Sequence, residues 1–535
     1  MATIITLGLV FTLLIIGNYI FRDKRQENLT IKETVLAYAV YILLSFLFAS
    51  YTGILQSGYH FVDDHEMYTF SRNFAPYGYW GTMLRWMQTD LHSRFRFTYG
   101  LIRITECYFF RDNYMAWHIF QTIIAASSLW LCYIFARRLK CPIWLSFGFS
   151  AVIFFGGGQS AVLWRLGPQE CLGILIWMIT LLQLWRYAHT SSGRSLFLCI
   201  AATIFLGGIK EAFLLILPML PFILVYWKMQ KDGKEITVRN TIQSFGTIRT
   251  YTITTYAVFV IDLLIIVRYV GSNNIGYAGI DQTYGLLNYL RGFYGISTGE
   301  LGLYLRWSLY GCVFLLLPMW IGEYRTKGKW IIFWRKLWLP VLIFSYLMAT
   351  QYVLYAKSGM YERYLLPSTY IISAFWLIFV FHLCRRLEWV SVYQMFAILM
   401  VFSLLHGVDD ENRAQKYALD GQNTTAMVEF VGEQAGRNSK VVVDIDYEMD
   451  FSATVILQDK YQLSSVYNVN YGGITDGTVT DCYIADKSEL RKIPVTEAEI
   501  YLGYPEKVEK LLTEYSMDLS AFDKVTFGNY AVYIH

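Results

Sequence analysis

Residues 114–136 of the chain read YMAWHIFQTIIAASSLWLCYIFA, and the basic residues Arg137, Arg138 and Lys140 follow directly behind them. The stretch contains no Asp, Glu, Lys or Arg. An α-helix rises about 1.5 Å per residue, so a run of this length covers the hydrocarbon core of a bilayer, roughly 30 Å thick. Because loops rich in Lys and Arg stay on the cytoplasmic side, the stretch predicts a membrane-spanning helix whose C-terminal end is cytoplasmic.

The composition of the whole chain also fits a lipid environment. Of its 535 residues, 55% are hydrophobic and 16% are charged, and the mean hydropathy is +0.36. Soluble globular proteins carry about 25% charged residues. A deficit of this size over so long a chain excludes a soluble enzyme and indicates an integral membrane protein.

Eleven further stretches resemble residues 114–136 in polarity, so the predicted fold class is a polytopic α-helical membrane protein with about 12 transmembrane helices. The predicted spans are residues 2–21, 34–55, 114–136, 142–157, 170–187, 195–209, 212–227, 251–271, 303–322, 336–355, 365–384 and 389–407. The first is expected to be a retained helix rather than a signal peptide, since its basic residues follow the apolar run. The short pair 195–209 and 212–227 predicts a helical hairpin.

The distribution of charge predicts the topology and two domains. Basic clusters occur within residues 22–25, 137–140, 186–194, 228–239, 325–336 and 385–386, and twelve spans place all of them on the cytoplasmic side. A long first outer loop (56–113) then lies outside. Residues 1–407 form the predicted transmembrane domain and carry a net charge of +15.

Residues 408–535 carry a net charge of −11 and predict a small extracytoplasmic C-terminal α/β domain. Strands are expected at 440–446, 482–486 and 530–534, and helices at 424–436 and 506–515. The alternating acids between residues 444 and 450 are interpreted as a strand followed by a turn.

Charged residues gather at the outer ends of the predicted spans, in four motifs. These are residues 61–68 with Asp63, Asp64 and Glu66; residues 164–170 with Arg165 and Glu170; Lys210-Glu211; and residues 361–367 with Glu362 and Arg363. Ionisable groups near membrane depth are costly and are functional candidates by default. The topology therefore predicts one outer face on which carboxylates and cations meet.

Such a face suits sugar transfer from a phosphate carrier. A carboxylate that a nearby cation keeps ionised can accept the proton of an acceptor hydroxyl, and Arg or Lys beside a phosphate stabilises the charge that develops as it leaves. Structural roles would explain the same residues singly. Asp63 and Asp64 could cap a following helix, and the pairs Lys210–Glu211 and Glu362–Arg363 could be local ion pairs that anchor the interface.

Together the four motifs resemble the GT-C superfamily of membrane glycosyltransferases, in particular bacterial relatives of protein mannosyltransferases and aminoarabinose transferases. The likeness covers about residues 1–405 in layout. It rests on the acids Asp63-Asp64, on Gly167-Pro168-Gln169-Glu170, on Lys210-Glu211 ahead of Pro218, and on Glu362-Arg363-Tyr364-Leu-Leu-Pro367. No Trp-Trp-Asp motif occurs, which disfavours transfer to asparagine.

The resemblance implies a function and a role for each motif. It implies a polyprenyl-phosphate-linked sugar donor, an inverting displacement, and an acceptor that is a lipid-linked or polymeric glycan or a protein, at the outer face of the plasma membrane. Membrane lipids surround the protein, and no nucleic acid partner is expected. The implied roles are catalytic base for Asp63 or Asp64, donor-phosphate contact for Arg165, Lys210 and Arg363, and support for Glu66, Glu170, Glu211 and Glu362. No cofactor is certain, and participation of a divalent metal stays open.

Two other classes of function stay open. A transporter or lipid flippase places charges near the bilayer midplane in two corresponding halves. Asp262 is the candidate for such a site, and a packing pair with Arg268 is the preferred interpretation. A non-catalytic envelope assembly or sensor protein would bind a partner through its acidic outer domain and would tolerate the loss of both first-loop acids.

Overall fold

The structure, a computed structural model, describes residues 29–61, 64–91, 94–154, 160–270, 285–288, 290–291, 330–355, 364, 366–367, 392–469 and 495–535. It is mostly helical, with one small sheet near the C-terminus. The helices are α1 (Ile31–Tyr51), α2 (Glu66–Asp90), α3 (Phe97–Phe110), α4 (Tyr114–Arg138), α5 (Ile143–Phe154), α6 (Glu170–Thr190), α7 (Gly193–Gly207), α8 (Glu211–Lys231, which contains the 3₁₀ turn Leu217–Met219), α9 (Val238–Thr247), α10 (Arg249–Ile265), α11 (Trp330–Tyr355), α12 (Val392–Gln434), α13 (Tyr447–Lys460) and α14 (Pro505–Glu514).

Five helices in this part of the chain are long and apolar enough to cross a membrane: α1, α4, α6, α8 and α10, the last continuing to Tyr269. Helix α4 packs between α1 and α6 because its small residues Ala125, Ala126 and Ser128 are fully buried and let the neighbouring backbones approach closely. The predicted spans 2–21 and 303–322, and nearly all of 365–384, lie outside the described residues. The expected number of twelve spans therefore stays a prediction.

The segment predicted as the first outer loop is folded into the two helices α2 and α3. Helix α2 is kinked after Pro76, where Gly78 adopts a positive φ of 64° that a side chain would disfavour. At the turn to α3, the side chain of Arg96 pairs with the Asp90 carboxylate at 2.6 Å. Residues 56–113, predicted as one long loop, are thus largely helical.

The C-terminal region contains a five-stranded sheet reached by one continuous helix. Helix α12 runs for 43 residues through the predicted domain boundary at 407/408 without a break. The strands are β1 (Lys440–Asp444), β2 (Ser465–Asn468), β3 (Ile500–Gly503), β4 (Asp523–Phe527) and β5 (Tyr530–Ile534), in the order β2-β1-β3-β5-β4. Strand β1 runs parallel to β2 and β3, whereas β5 is antiparallel to β3 and β4.

The acids between residues 444 and 450 were interpreted as a strand and a turn, but β1 ends at Asp444 and helix α13 begins at Tyr447. The hydrogen bond from the backbone N–H of Ile445 to the buried Asp450 carboxylate stabilises this first turn. The strand expected at 482–486 lies outside the described residues.

The sheet is held against the first outer loop by α13. Arg72 on α2 pairs with Asp459 at 2.8 Å, and His65 Nδ1 lies 2.9 Å from Ser452 Oγ. The ammonium group of Lys460 donates to the hydroxyl oxygen of Tyr114 at 3.0 Å. These contacts place the C-terminal sheet over the loop that carries the paired acids.

Candidate functional site

Asp64 lies in the turn that leads into α2, and its side chain is turned into the protein. The residue is 2% exposed. Its Oδ2 atom accepts a hydrogen bond of 2.7 Å from the backbone N–H of His60. Asp63 lies outside the described residues. The described member of the acid pair therefore does not face bulk water.

Arg165 and Asp64 both lie near the hydroxyl of Tyr417 on α12. The guanidinium carbon of Arg165 is 5.2 Å from the centre of the Tyr417 ring, and the His60 ring stacks on the same ring at 3.4 Å. Burial raises the pKa of the Tyr417 hydroxyl well above its usual range; the charge of Arg165 opposes this rise and that of Asp64 adds to it. Asp64 and Arg165 thus act on one hydroxyl and share one environment.

The neighbouring histidine is held in its neutral form. Burial lowers the pKa of His60 well below its usual value, and His118 and Arg165 act in the same direction. The hydroxyl of Ser57 lies 2.9 Å from His118 Nε2 and 3.1 Å from His60 Nε2. One neutral ring can donate to Ser57 and the other can accept from it. His60 therefore adds no second positive charge beside Arg165.

Arg103 of α3 joins the first outer motif to the second. Its side chain lies 3.3 Å from the Glu66 carboxylate and 3.1 Å from that of Glu106, and it donates to the backbone carbonyls of Leu166 and Gly167. Burial alone would lower the pKa of Arg103. Tyr99, Glu106 and Glu66 raise the pKa by more than burial lowers it, so the guanidinium stays charged.

Sequence reasoning missed Arg103, although a signal was present. The loop 56–113 contains six arginines and no lysine, on the side that the positive-inside rule predicts to be poor in basic residues.

Lys210 and Glu170 join the second motif to the third. Their side chains are 5% and 2% exposed, and the Lys210 Nζ atom lies 2.5 Å from Glu170 Oε1. Burial lowers the pKa of Lys210 below its usual value, while Glu170 partly restores it. The Nζ atom also lies 4.5 Å from the ring centre of Tyr364, which belongs to the fourth motif. This pair connects separate helices, unlike the local Lys210–Glu211 pair considered from the sequence.

The turn between α7 and α8, which carries Lys210, packs against the start of α3. The backbone N–H of Thr98 donates to the carbonyl of Gly208 at 2.9 Å. A Cβ atom on Gly208 would lie 2.4 Å from the Phe97 ring, so only glycine permits this close approach. The first outer loop therefore packs against the third motif as well as the second.

The structure thus brings together five of the residues singled out from the sequence: Asp64, Glu66, Arg165, Glu170 and Lys210. Glu211 follows Lys210 in the chain, and its Oε1 atom is buried without a hydrogen-bond partner among the described residues. Asp63, Glu362 and Arg363 lie outside the described residues. Within the described ranges, no group of three or more His, Cys, Asp or Glu is placed to hold a metal ion.

Comparisons with known proteins give a likeness to solved structures. No family model matches the chain, and no curated protein matches it. A crystal structure of ArnT from Cupriavidus metallidurans bound to undecaprenyl phosphate matches with 11% identity and a TM-score of 0.46, over 92% of this chain and 97% of that one. Neither fold nor function follows from a likeness at this level.

The C-terminal sheet reaches the same cluster through Asp420, which the sequence analysis also missed. The hydroxyl of Tyr530, at the start of β5, donates to the Asp420 carboxylate at 3.0 Å. Burial raises the pKa of Asp420, whereas the hydrogen bond from Tyr530 and the charge of Arg165 lower it. Asp420 therefore bonds to Tyr530 of the sheet and lies within the electrostatic influence of Arg165, in the turn before α6.

Proposed function

We propose that the chain is a membrane glycosyltransferase of the GT-C type that moves one sugar from a polyprenyl-phosphate donor to an envelope acceptor at the extracytoplasmic face of the plasma membrane. The observation that supports this best is that four charged motifs are linked by contacts, although they extend along the chain from Asp64 to Tyr364. Arg103 and the pair Glu170–Lys210 join these motifs at one end of the helices. The motifs are those that carry the resemblance to the GT-C superfamily.

The donor phosphate would lie between Arg165 and Lys210, with Arg363 assigned by the resemblance alone. Within the described residues Arg165 is half-buried and makes no ion pair, so an anion would supply the partner that its charge lacks. Hydrogen bonds between a guanidinium group and a phosphate are among the strongest in proteins. Lys210 is buried beside Glu170 and could exchange part of that contact for the phosphate.

The transfer itself is a single displacement. The acceptor hydroxyl oxygen attacks the anomeric carbon from the face opposite the phosphate, and the bond between that carbon and the phosphate oxygen breaks. The bonding electron pair leaves with the phosphate, where Arg165 and Lys210 stabilise the charge. The hydroxyl proton passes to the carboxylate of Asp63 or Asp64, which acts as general base. Both acids remain candidates for this role.

Asp262 is the kind of charged residue within a membrane helix that a transporter would require. It lies in the membrane helix α10, is 6% exposed, and its Oδ2 atom has no hydrogen-bond partner within the described part of the chain. The pair with Arg268 preferred from the sequence is not among the ion pairs of the described residues. One intramembrane carboxylate does not make two corresponding halves, so the transferase remains the better supported function.

The decisive experiment replaces Asp63 and Asp64 by Asn, singly and together, and measures sugar transfer in membranes supplied with lipid-linked sugars. Loss of the general base should reduce transfer by about 10²–10⁴-fold. Asp112→Asn is the matched control, since Asp112 is an exposed acid of the same loop and should transfer normally.

The double variant also separates the alternatives. Transfer at the wild-type rate would disprove the catalytic assignment and favour an assembly or sensor protein. Loss of lipid or solute transport in Asp262→Asn, with no transferase activity in the wild type, would favour the transporter.

A further inference from the structure

The chain segment that leads to Asp64 is bound along helix α12. The backbone N–H of Tyr59 donates to Thr425 Oγ1 at 2.6 Å, and the hydroxyl of Thr424 donates to the Tyr59 carbonyl at 2.5 Å. Two consecutive threonines of α12 thus satisfy both backbone polar groups of Tyr59, which is fully buried. These hydrogen bonds join residues that lie 365 and 366 positions apart in the chain.

The segment and the helix approach each other at backbone distance. A Cβ atom on Gly58 would overlap Thr425 Oγ1, and a Cβ atom on Gly421 would overlap the carbonyl oxygen of Ser57. Glycine at both positions is therefore required for this contact. The placement of the segment on α12 is thus determined by backbone contact, and not only by side chains that could rearrange.

The Tyr59 carbonyl and the His60 N–H are the two ends of one peptide group. The Thr424 hydroxyl donates to the carbonyl end at 2.5 Å, and the N–H end donates to Asp64 Oδ2 at 2.7 Å. A carbonyl that accepts a hydrogen bond makes the N–H of the same peptide group a stronger donor, because hydrogen bonds in a chain polarise one another. Thr424 therefore acts on Asp64 through a single peptide group.

The residues that form this chain of hydrogen bonds are buried. Thr424, His60 and Asp64 are all withdrawn from the surface. Hydrogen bonds are stronger away from water, and a buried bond that is lost is not replaced by solvent. The orientation of the Asp64 carboxylate is thus coupled to the position of α12.

A threonine within a helix often has a purely local role. Its hydroxyl commonly donates to a carbonyl three or four residues earlier in the same helix, and the Thr424 hydroxyl lies 3.0 Å from the Gly421 carbonyl in this way. The contact with the Tyr59 carbonyl, at 2.5 Å, is the shorter of the two. Since a hydroxyl has one proton to donate, the bond to Tyr59 is the main one.

We propose that Thr424 is a positioning residue for the general base, and that Asp64 is the acid on which it acts. The proposal rests on the proposed function. Thr424 contacts neither donor nor acceptor; it holds the peptide group that orients the Asp64 carboxylate toward the acceptor hydroxyl. A misplacement of about 1 Å can reduce a rate by about 10²-fold. Helix α12, which leads into the C-terminal sheet, is thereby part of the transfer machinery.

The test measures the release of undecaprenyl phosphate from its glucose, galactose, mannose and 4-amino-4-deoxyarabinose esters, in membranes of the source organism that contain the full chain. Thr424→Val has the same shape as threonine and lacks the hydroxyl. It should lower kcat by about 10–100-fold and leave KM for the donor within about twofold of the wild-type value. Thr424→Ser retains the hydroxyl and should restore kcat.

Two further variants control for stability. Thr180→Val removes a buried hydroxyl that donates to the carbonyls of Ile176 and Ala202, away from the acid pair. It should lower the Tm as Thr424→Val does and keep the wild-type kcat. Thr424→Cys carries a weaker donor, so its kcat should lie between those of the serine and valine variants, and it provides the measurement if Thr424→Val does not fold.

Combination with Asp64→Asn identifies the route by which Thr424 acts. If Thr424 acts through Asp64, the double variant Asp64→Asn/Thr424→Val should transfer within about twofold of the rate of Asp64→Asn alone, because the two residues form one unit. Losses that multiply in the double variant would overturn the proposal. A wild-type kcat in Thr424→Val, or a kcat in Thr424→Ser as low as that of Thr424→Val, would overturn it too.

The same measurements distinguish failure of this proposal from failure of the proposed function. If the wild type releases no undecaprenyl phosphate from any ester, the transferase is overturned and the positioning role with it. If Asp64→Asn loses transfer and Thr424→Val does not, the positioning role alone is overturned. If Asp64→Asn transfers like the wild type, Asp64 is not the base, so the positioning role fails while the transferase stands.

Discussion

The buried pair Glu170–Lys210 offers a way to separate a structural role of Lys210 from a role in transfer. Both side chains are almost fully buried, with 5% exposure for Lys210 and 2% for Glu170, and their charged atoms lie 2.5 Å apart. Replacing Lys210 by Met leaves the Glu170 carboxylate buried and unpaired. Breaking a pair in this way costs about 3–5 kcal/mol of stability, whereas replacing both partners by neutral residues is often nearly neutral.

The assay combines Tm with sugar transfer for three variants: Lys210→Met, Glu170→Gln, and the two together. Each single variant should have a lower Tm, and the double variant should regain most of the loss. If Lys210 stabilises the leaving phosphate, the double variant should still transfer about 10²–10³-fold more slowly than the wild type, as for the loss of one oxyanion contact.

A matched pair at the other end of the helices provides the control. Glu33 and Arg137 join α1 to α4 at 2.6 Å, with side-chain exposures of 17% and 3%. The double change Glu33→Gln with Arg137→Met should leave transfer close to that of the wild type. Wild-type transfer by the Glu170→Gln/Lys210→Met protein would refute a phosphate contact and leave Lys210 as a packing partner of Glu170.

Burial lowers the pKa of Lys210 below its usual 10.5, so transfer by the wild type should fall as the pH rises through this lowered value. Glu170→Gln removes a carboxylate that raises the pKa of Lys210, so it should move the fall in transfer to lower pH. A pH–rate profile that the substitution does not shift would contradict the assignment of Lys210. Arg103→Lys cannot reach two carboxylates and two carbonyls, so transfer should drop at least tenfold while undecaprenyl phosphate still binds; the exposed Arg85→Lys is the control, and equal rates for both would count against Arg103 as a positioning residue. Lys460→Met removes contacts to two tyrosines of the membrane region, so hydrogen exchange in α13 should become faster; unchanged protection would show that the other contacts suffice.

The parts of the fold that could be predicted are those determined by the length of an apolar stretch and by single residues that end a helix. The stretch 114–136 is the helix Tyr114–Arg138, because nothing within it opposes a helix. The charge change near residue 408 predicted a boundary, yet α12 passes through it, because acidic residues on a helix surface do not end a helix. The acids at 444–450 alternate like a strand, but a local hydrogen bond from the Ile445 N–H to the Asp450 carboxylate favours a helix there instead.

The candidate site was predictable as a set of motifs but not as a set of contacts. Topology alone placed Asp64, Arg165 and Lys210 on one face, because loops on one side of a membrane must share that side. The links between them come from Arg103 and Tyr417, which are neighbours of the motifs in space only. A single sequence contains no signal for the packing of α12 against residues several hundred positions earlier.

The rotational position of residues around helix α12 determines which of its side chains reach the candidate site. The helix is about 64 Å long at 1.5 Å per residue, and it carries Tyr417 and Asp420 without an interruption that could absorb a change of length. Insertion of one residue between Leu405 and Tyr417 would rotate everything beyond it by about 100°. Tyr417 would then leave Arg165, and Asp420 would leave Tyr530. Insertions and deletions in this segment should therefore be tolerated only in steps of about one helical turn. This constraint cannot be seen in any single side chain.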